Sequence, residues 1–264
     1  MYAEVKDVEQ LSPNMMRVVL GGRKLENFTS TDFTDQYINA YFIPSGAPYS
    51  VPFDLKEARM TGDVFRPRPR RLTVRKWDTE RKLLTIDFVT HEDQGYAGVW
   101  AQQAKSGDLL QFKGPNGAYV PNPDVDWHLL AGDESALPAI GASIEAVSSS
   151  KLCVAFVVVD SPEHEIDIHS DATLELIWLH RQKVLEPEKV LPNAIKDSEF
   201  PAGNYDVFVH GEAGEVRKIR KHLINDRGID VSSASISPYW RRNHTDEAWR
   251  NVKRQWLADQ QKDT

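Results

Sequence analysis

A nearly continuous apolar strand from Leu152 to Asp160, its first eight residues all apolar, sets the tightest limit on what this chain can fold into. The run is far shorter than the roughly 18 residues a membrane span needs. It lacks both the 3.6-residue period of an amphipathic helix and the alternation of a strand with one wet face. A strand hidden on both faces satisfies it, and such strands belong to parallel sheets covered by helices. Residues 127–132, 174–179 and 205–211 read as further strands, and residues 137–148 and about 214–226 as helices. This alternation predicts an α/β domain with right-handed crossovers.

The first half of the chain has a different rhythm. Residues 16–20, Tyr37–Phe42, residues 72–77, Leu83–Val89 and residues 109–112 are short, β-branched and partly alternating. They are bounded by Gly, Pro and Asp, with Gly114-Pro115-Asn116-Gly117 as a turn signal, and they predict a small antiparallel barrel. Pro121 to Asp124 reads as the linker, placing the domains at 1–122 and 123–264. A last helix is expected after Thr245, with Asp246 and Glu247 at its positive end. Trp249, Val252 and Trp256 form its apolar face, and Arg250, Lys253 and Arg254 lie opposite.

Composition removes several classes of function. Cys153 is the single cysteine, so neither an intrachain disulfide nor a thiolate metal cage can form. No apolar core follows the N-terminal residues, which predicts no signal peptide and a cytoplasmic protein. With 32 basic and 39 acidic residues the formal net charge is −7, which argues against nucleic acid as a partner. No membrane segment and no metal site are expected. The eight histidines show no His-Glu-x-x-His spacing, and Ser135 stands in no Gly-x-Ser-x-Gly elbow.

Five segments carry possible chemistry. Arg66-Pro67-Arg68-Pro69-Arg70-Arg71-Leu72-Thr73-Val74-Arg75 concentrates guanidinium groups able to fork onto phosphate oxygens, or to keep an edge strand from aggregating. Residues 91–101, with Gly95, Ala97 and Gly98, place small residues at a helix start, as an anion site or an ordinary turn. Gly132-Asp133-Glu134-Ser135 follows the first strand of the α/β half, where open parallel sheets take nucleotides. Its plainer reading is a capping loop in which Glu134 and Ser135 satisfy the next helix. Gly211-Glu212-Ala213-Gly214 is a second small-residue turn on the same sheet edge. In Pro238-Tyr239-Trp240-Arg241-Arg242, rings stand beside arginines, either to stack on a planar ligand or as core plus surface.

Taken in this order, these segments resemble the siderophore-interacting protein family of FAD-dependent ferric-siderophore reductases. The resemblance runs from residue 17 to residue 241. It implies a ferredoxin-reductase-like architecture, with an N-terminal FAD-binding barrel and a C-terminal nicotinamide-binding α/β domain carrying a helical extension. It puts Arg70 at the FAD pyrophosphate and Thr73 near the flavin edge. Leu72, where the family carries a flavin-stacking tyrosine, would lie beside Val74. His91, Gly95, Ala97, Gly98 and Val99 would form the pyrophosphate-binding helix start, with Tyr96 where proline is common. Asp133, Glu134 and Ser135 would line the nicotinamide side, with Gly211 and Glu212 nearby. Tyr239, Trp240 and Arg241 would close over flavin or reductant, and Asn243 stands where the family has glycine. The electron donor implied is NADPH, through Arg181, or NADH, through Asp160, or a ferredoxin. An anionic ferric siderophore needs a local cationic patch on so acidic a chain, and Lys56, Arg242, Lys253 and Arg254, with Arg241, are the candidates. Two other readings stay open: a flavin oxidoreductase acting on a quinone or free flavin, and a binding module that has lost its cofactor.

Overall fold

The computed structural model describes residues 1–90 and 95–263. They fall into two compact units, Met1–Val120 and Pro121–Thr264.

The first unit is a seven-stranded antiparallel sheet. Its strands are β1 (Tyr2–Ser12), β2 (Met15–Gly21), β3 (Tyr37–Phe42), β4 (Arg68–Thr73), β5 (Lys76–Asp78), β6 (Leu83–Val89) and β7 (Leu109–Asn116). Short helices α1 (Leu55–Met60) and α2 (Ala97–Gln103) interrupt them. The spatial order is β4-β3-β7-β1-β2-β6-β5. Alternation sets the register: Val18 faces Ile86 and Leu20 faces Leu84, and all four are buried. Phe88, Phe112, Ile38 and Val5 complete that core.

The stretch 72–77 is two strands rather than one. The backbone N–H of Val74 donates to Gln36 O at 2.8 Å, whereas that of Arg75 donates to Thr85 O at 2.9 Å. The chain therefore leaves one rim of the sheet and joins the other within two residues. β4 and β5 are the terminal strands of the sheet, and a link of this length spans no more than about 11 Å. The sheet is thus forced to curl into a barrel. The Gly114 turn signal is also corrected. β7 runs on to Asn116 through a bulge, because Asn39 pairs with Lys113 while Tyr37 pairs with Asn116.

The second unit is a five-stranded parallel sheet, with β8 (Trp127–Asp133), β9 (Leu152–Val159), β10 (Thr173–His180), β11 (Tyr205–Glu212) and β12 (Ala234–Trp240) in the order β10-β9-β8-β11-β12. The order reverses between β8 and β11, the position where open sheets leave a crevice at their C-terminal ends. Helices α3 (Leu137–Ala146), α4 (Val190–Asp197), α5 (Ala213–Asn225) and α6 (Asp246–Gln260) accompany them. β12 escaped the sequence reading because Pro238 argues against a strand interior. It is an edge strand, where proline is tolerated.

Thr245 caps α6 as expected, its Oγ1 accepting from Ala248 N at 3.2 Å. Trp249 is buried at 2% exposure and meets Trp256 edge-on at 5.5 Å. Val252 is not on that face, being 39% exposed. Lys253 takes the inner place: its Nζ lies over the Trp249 ring, 5.9 Å from the centroid, and donates to Pro238 O at 2.6 Å. A helix turns about 100° per residue, so position 253 lies closer to position 249 than 252 does, and a lysine stem can cover apolar surface.

Candidate functional site

In the first unit, Arg68 and Arg70 stand two residues apart on edge strand β4 and share a face. Both guanidinium groups lie 5.6 Å from the ring centroid of Tyr96, the residue that opens α2. Arg70 donates to Pro69 O at 2.9 Å and Arg68 to Asp63 O at 3.1 Å. Arg68 Nε is buried and has no partner among the described residues. Arg71, on the opposite face, lies over Tyr37 at 5.3 Å. Leu72 packs half-buried against the barrel core, and Thr73 and Val74 are buried.

Gly95 holds φ +82°, a conformation few other residues adopt, just before Ala97, Gly98 and Val99 begin α2. Tyr96, at the N-cap position, offers that helix no side-chain cap. The structure thus brings the arginine strand to the small-residue turn through Tyr96. His91 falls outside the described residues.

In the second unit, Asp133 ends β8 with 2% of its surface exposed. Its Oδ1 accepts from Ser135 N at 2.9 Å and Ser135 Oγ at 2.5 Å. Its Oδ2 accepts from Glu212 N at 2.8 Å and Trp240 Nε1 at 2.7 Å. One carboxylate therefore ties the C-terminal ends of β8, β11 and β12. Gly211 is required there: a Cβ would stand 2.7 Å from Asp133 Oδ2. The capping reading of Ser135 fails, because its hydroxyl turns back to Asp133 and α3 starts without a side-chain cap.

Arg181 is engaged rather than extended. Its terminal nitrogens fork onto Glu134 at 2.8 Å each and reach Asp160 at 3.1 Å and Val158 O at 2.9 Å. The two groups expected to choose between a 2′-phosphate and a ribose hydroxyl are bonded to each other. Burial pushes the Glu134 carboxyl up, against the pull of Arg181. Glu212 caps α5, accepting from Gly214 N at 2.6 Å and Glu215 N at 3.0 Å.

Lys56 and Arg254 are exposed, whereas Lys253 is held by Pro238 O and Arg242 is paired with buried Glu215. Burial, with Asp133 adding, pushes the Glu215 carboxyl up to about 7 against Arg242. Sequence reasoning missed this pair, as it missed the Tyr96 clamp and the Asp133 tie. Each joins residues distant in the chain. Among the described residues, no group of three His, Cys, Asp or Glu side chains is placed to hold a metal.

His210, just before Gly211, is stacked on Phe208 at 3.9 Å and bonded to Ser235 Oγ at 2.9 Å. Burial, aided by Lys253, depresses its pKa from 6.5 to about 3. The unfolded chain binds this proton more readily, so stability is full above pH 6.5 and is lost as pH falls towards 3. The expected slope is about 1.4 kcal/mol per pH unit. Urea unfolding midpoints between pH 4 and 7 should show it in wild type and lose it in His210→Gln. Parallel slopes would contradict the assignment.

Comparison with known proteins fits this geometry. Residues 4–119 match the siderophore-interacting FAD-binding domain and residues 125–243 the siderophore-interacting protein family. Ferric vibriobactin reductase ViuB of Vibrio cholerae is 33% identical, over 90% of this chain and 88% of its own. The chain belongs to the siderophore-interacting protein family.

Other relatives include an uncharacterised protein of Mycobacterium tuberculosis, 38% identical over 96% of this chain and 94% of its own. The NADPH-dependent ferric-chelate reductase of Escherichia coli is 29% identical over 88% and 89%. The crystal structure of a siderophore utilization protein from T. fusca superposes with a TM-score of 0.78 at 31% identity, covering 93% of this chain and 94% of that one. In this siderophore-interacting protein, Asn243 adopts φ +59°. The departure from glycine is thus physically mild, since asparagine tolerates the left-handed region better than most residues.

Proposed function

We propose that this siderophore-interacting protein is an FAD-dependent reductase of ferric siderophores, drawing electrons from NADPH or NADH in the cytoplasm. The observation that carries the reading is the Arg68–Tyr96–Arg70 cluster at the start of α2, inside a siderophore-interacting FAD-binding domain. This donor set fits a diphosphate. It presents two guanidinium groups on one face, one with a buried nitrogen in want of an acceptor.

Arg70 and Arg68 would hold the diphosphate, and Leu72 would offer the ring an apolar wall in place of an aromatic one. When bound, FAD would supply the means to take two electrons as one hydride and release them singly, which matches a two-electron donor to a one-electron acceptor such as Fe(III). Asp133 keeps the ends of β8, β11 and β12 in place for a nucleotide, and Ser135 remains anchored to it. Reduction of the bound Fe(III) weakens its hold on hard oxygen donors, and Fe(II) leaves. The named activities of the Vibrio and Escherichia relatives support substrate and donor. Buried Cys153, the single cysteine, suits a reducing compartment.

Purified protein reconstituted with FAD should show flavin absorption bands that bleach on anaerobic addition of NADPH or NADH. Addition of a ferric siderophore should then restore the bands and yield Fe(II) trapped by a coloured chelator. Bleaching followed by reoxidation only with a quinone or free flavin would replace this acceptor. Absence of flavin binding would remove the reading.

A further inference from the structure

Strand β4 has two faces, and the diphosphate reading uses one of them. Pro69 falls between Arg68 and Arg70 and therefore points to the other side of the sheet. In register it stands opposite Tyr41 of β3, whereas Arg70 stands opposite Ala40. Tyr41, Pro67 and Pro69 line a cavity of about 420 Å³ together with Leu55, Arg59 and Arg66. That volume suits a small molecule.

The segment that carries Leu55, Arg59 and Arg66 is fastened at several points. The Tyr49 hydroxyl donates to Phe65 O. Gln111 of β7, the partner of Tyr41 in register, accepts from Phe53 N and donates to Phe53 O, each at 2.9 Å. Asp54 caps α1, its Oδ1 accepting from Lys56 N at 2.7 Å and Glu57 N at 3.0 Å. Leu55 and Arg59 are four residues apart on α1, so one side of the helix presents both to the cavity. Glu57, two positions from each, lies on the opposite side.

The polar groups at the cavity are few. Tyr41 is 8% exposed, and its hydroxyl has no hydrogen-bond partner among the described residues. A buried tyrosine hydroxyl usually has one. Arg66 is paired with Asp63 at 2.8 Å, whereas Arg59 makes no salt bridge among the described residues. One guanidinium and one phenol thus stand ready for an acceptor. This set matches a single carboxylate, since the guanidinium forks onto both oxygens and the phenol O–H adds a further bond. It falls short of a phosphate monoester, which carries a charge of about −1.5 to −2. Leu55, Pro67 and Pro69 offer apolar surface, and the proline rings do so rigidly. Such walls suit a flat hydrocarbon body.

We infer that the cavity between α1 and the β3–β4 pair binds a small aromatic carboxylate. Arg59 and Tyr41 hold the carboxylate, and Leu55, Pro67 and Pro69 enclose the ring. The inference is independent of the reductase reading, because Arg68 and Arg70 face the other side of the sheet.

The test is a calorimetric titration of the full chain with naphthoate in the presence of excess FAD, with naphthamide as the neutral twin. Naphthoate should bind, and the amide should bind at least about tenfold more weakly. Arg59→Gln should weaken naphthoate by about tenfold or more and leave the amide unchanged. Lys24→Gln, which removes an exposed charge elsewhere, should leave naphthoate unchanged. Tyr41→Phe removes a hydroxyl without a partner, so it should fold normally and weaken naphthoate by about threefold. Equal naphthoate affinity in wild type, Arg59→Gln and Tyr41→Phe would overturn the inference, as would no binding at all. So would an amide that binds as tightly as the acid, or naphthoate binding that vanishes when FAD is added, which would put naphthoate in the flavin site.

Discussion

Asp133→Ala should lower the unfolding free energy of the chain by about 3–5 kcal/mol. The carboxylate is 2% exposed and accepts hydrogen bonds from Ser135 N, Ser135 Oγ, Glu212 N and Trp240 Nε1. Each bond to a charged acceptor contributes roughly 1.5–3 kcal/mol, and a buried donor left unpaired costs about 1–3 kcal/mol. The loss stays below the sum of four such bonds for an electrostatic reason. Asp133 pushes up the carboxyls of Glu134 and Glu215, and its removal relieves both. Asp133→Asn keeps the shape and one acceptor oxygen but puts an N–H₂ where an acceptor stood, so an intermediate loss is expected. Guanidinium unfolding followed by tryptophan emission measures both variants. A loss below about 1 kcal/mol for alanine would mean that water replaces the carboxylate, and Asp133 would no longer count as the tie between strands.

The second large effect is on cofactor affinity. Arg70→Ala should weaken FAD binding by about 30- to 100-fold, near 2–3 kcal/mol, the range of a charge-assisted hydrogen bond to phosphate. Arg68→Ala should weaken it in the same direction, because its Nε is buried and has no partner among the described residues. Tyr96→Leu should also weaken it, by releasing both guanidinium groups from the ring that orders them. Arg254→Ala, on exposed α6 surface, should leave it unchanged. Folding should be little affected by Arg70→Ala, since the residue lies on an edge strand and outside the core. Quenching of FAD fluorescence during titration gives the constants directly. Equal affinity in Arg70→Ala and Arg254→Ala would remove Arg70 from the site.

The fold was legible where burial pattern alone decides it. Leu83–Val89 is a strand with those bounds, and the strand read from Leu152 to Asp160 stops one residue earlier, at Val159, because a clean alternation or eight apolar residues leave few alternatives. β1 was missed because its outer half, near Asp7, Glu9 and Gln10, is exposed and carries little apolar signal. α1 was missed for its length of six residues, held by Asp54, whose Oδ1 accepts from Lys56 N at 2.7 Å.

The candidate site was legible as a set of segments but not as a set of bonds. Nothing in the local sequence says that Arg181 will fork onto Glu134, 47 positions away, or that Trp240 will donate to Asp133. Such pairings arise from strand order. β11 and β12 come late in the chain yet lie on the far side of β8 from β9.

The two-residue step from β4 to β5 bears on how this protein can be engineered. A cut or a grafted domain at Val74 or Arg75 would free both rims at once and open the cylinder like a split hoop, and the arginine strand would go with it. The irregular stretch between β3 and α1 bridges no rims, so a reporter inserted there leaves the hoop closed.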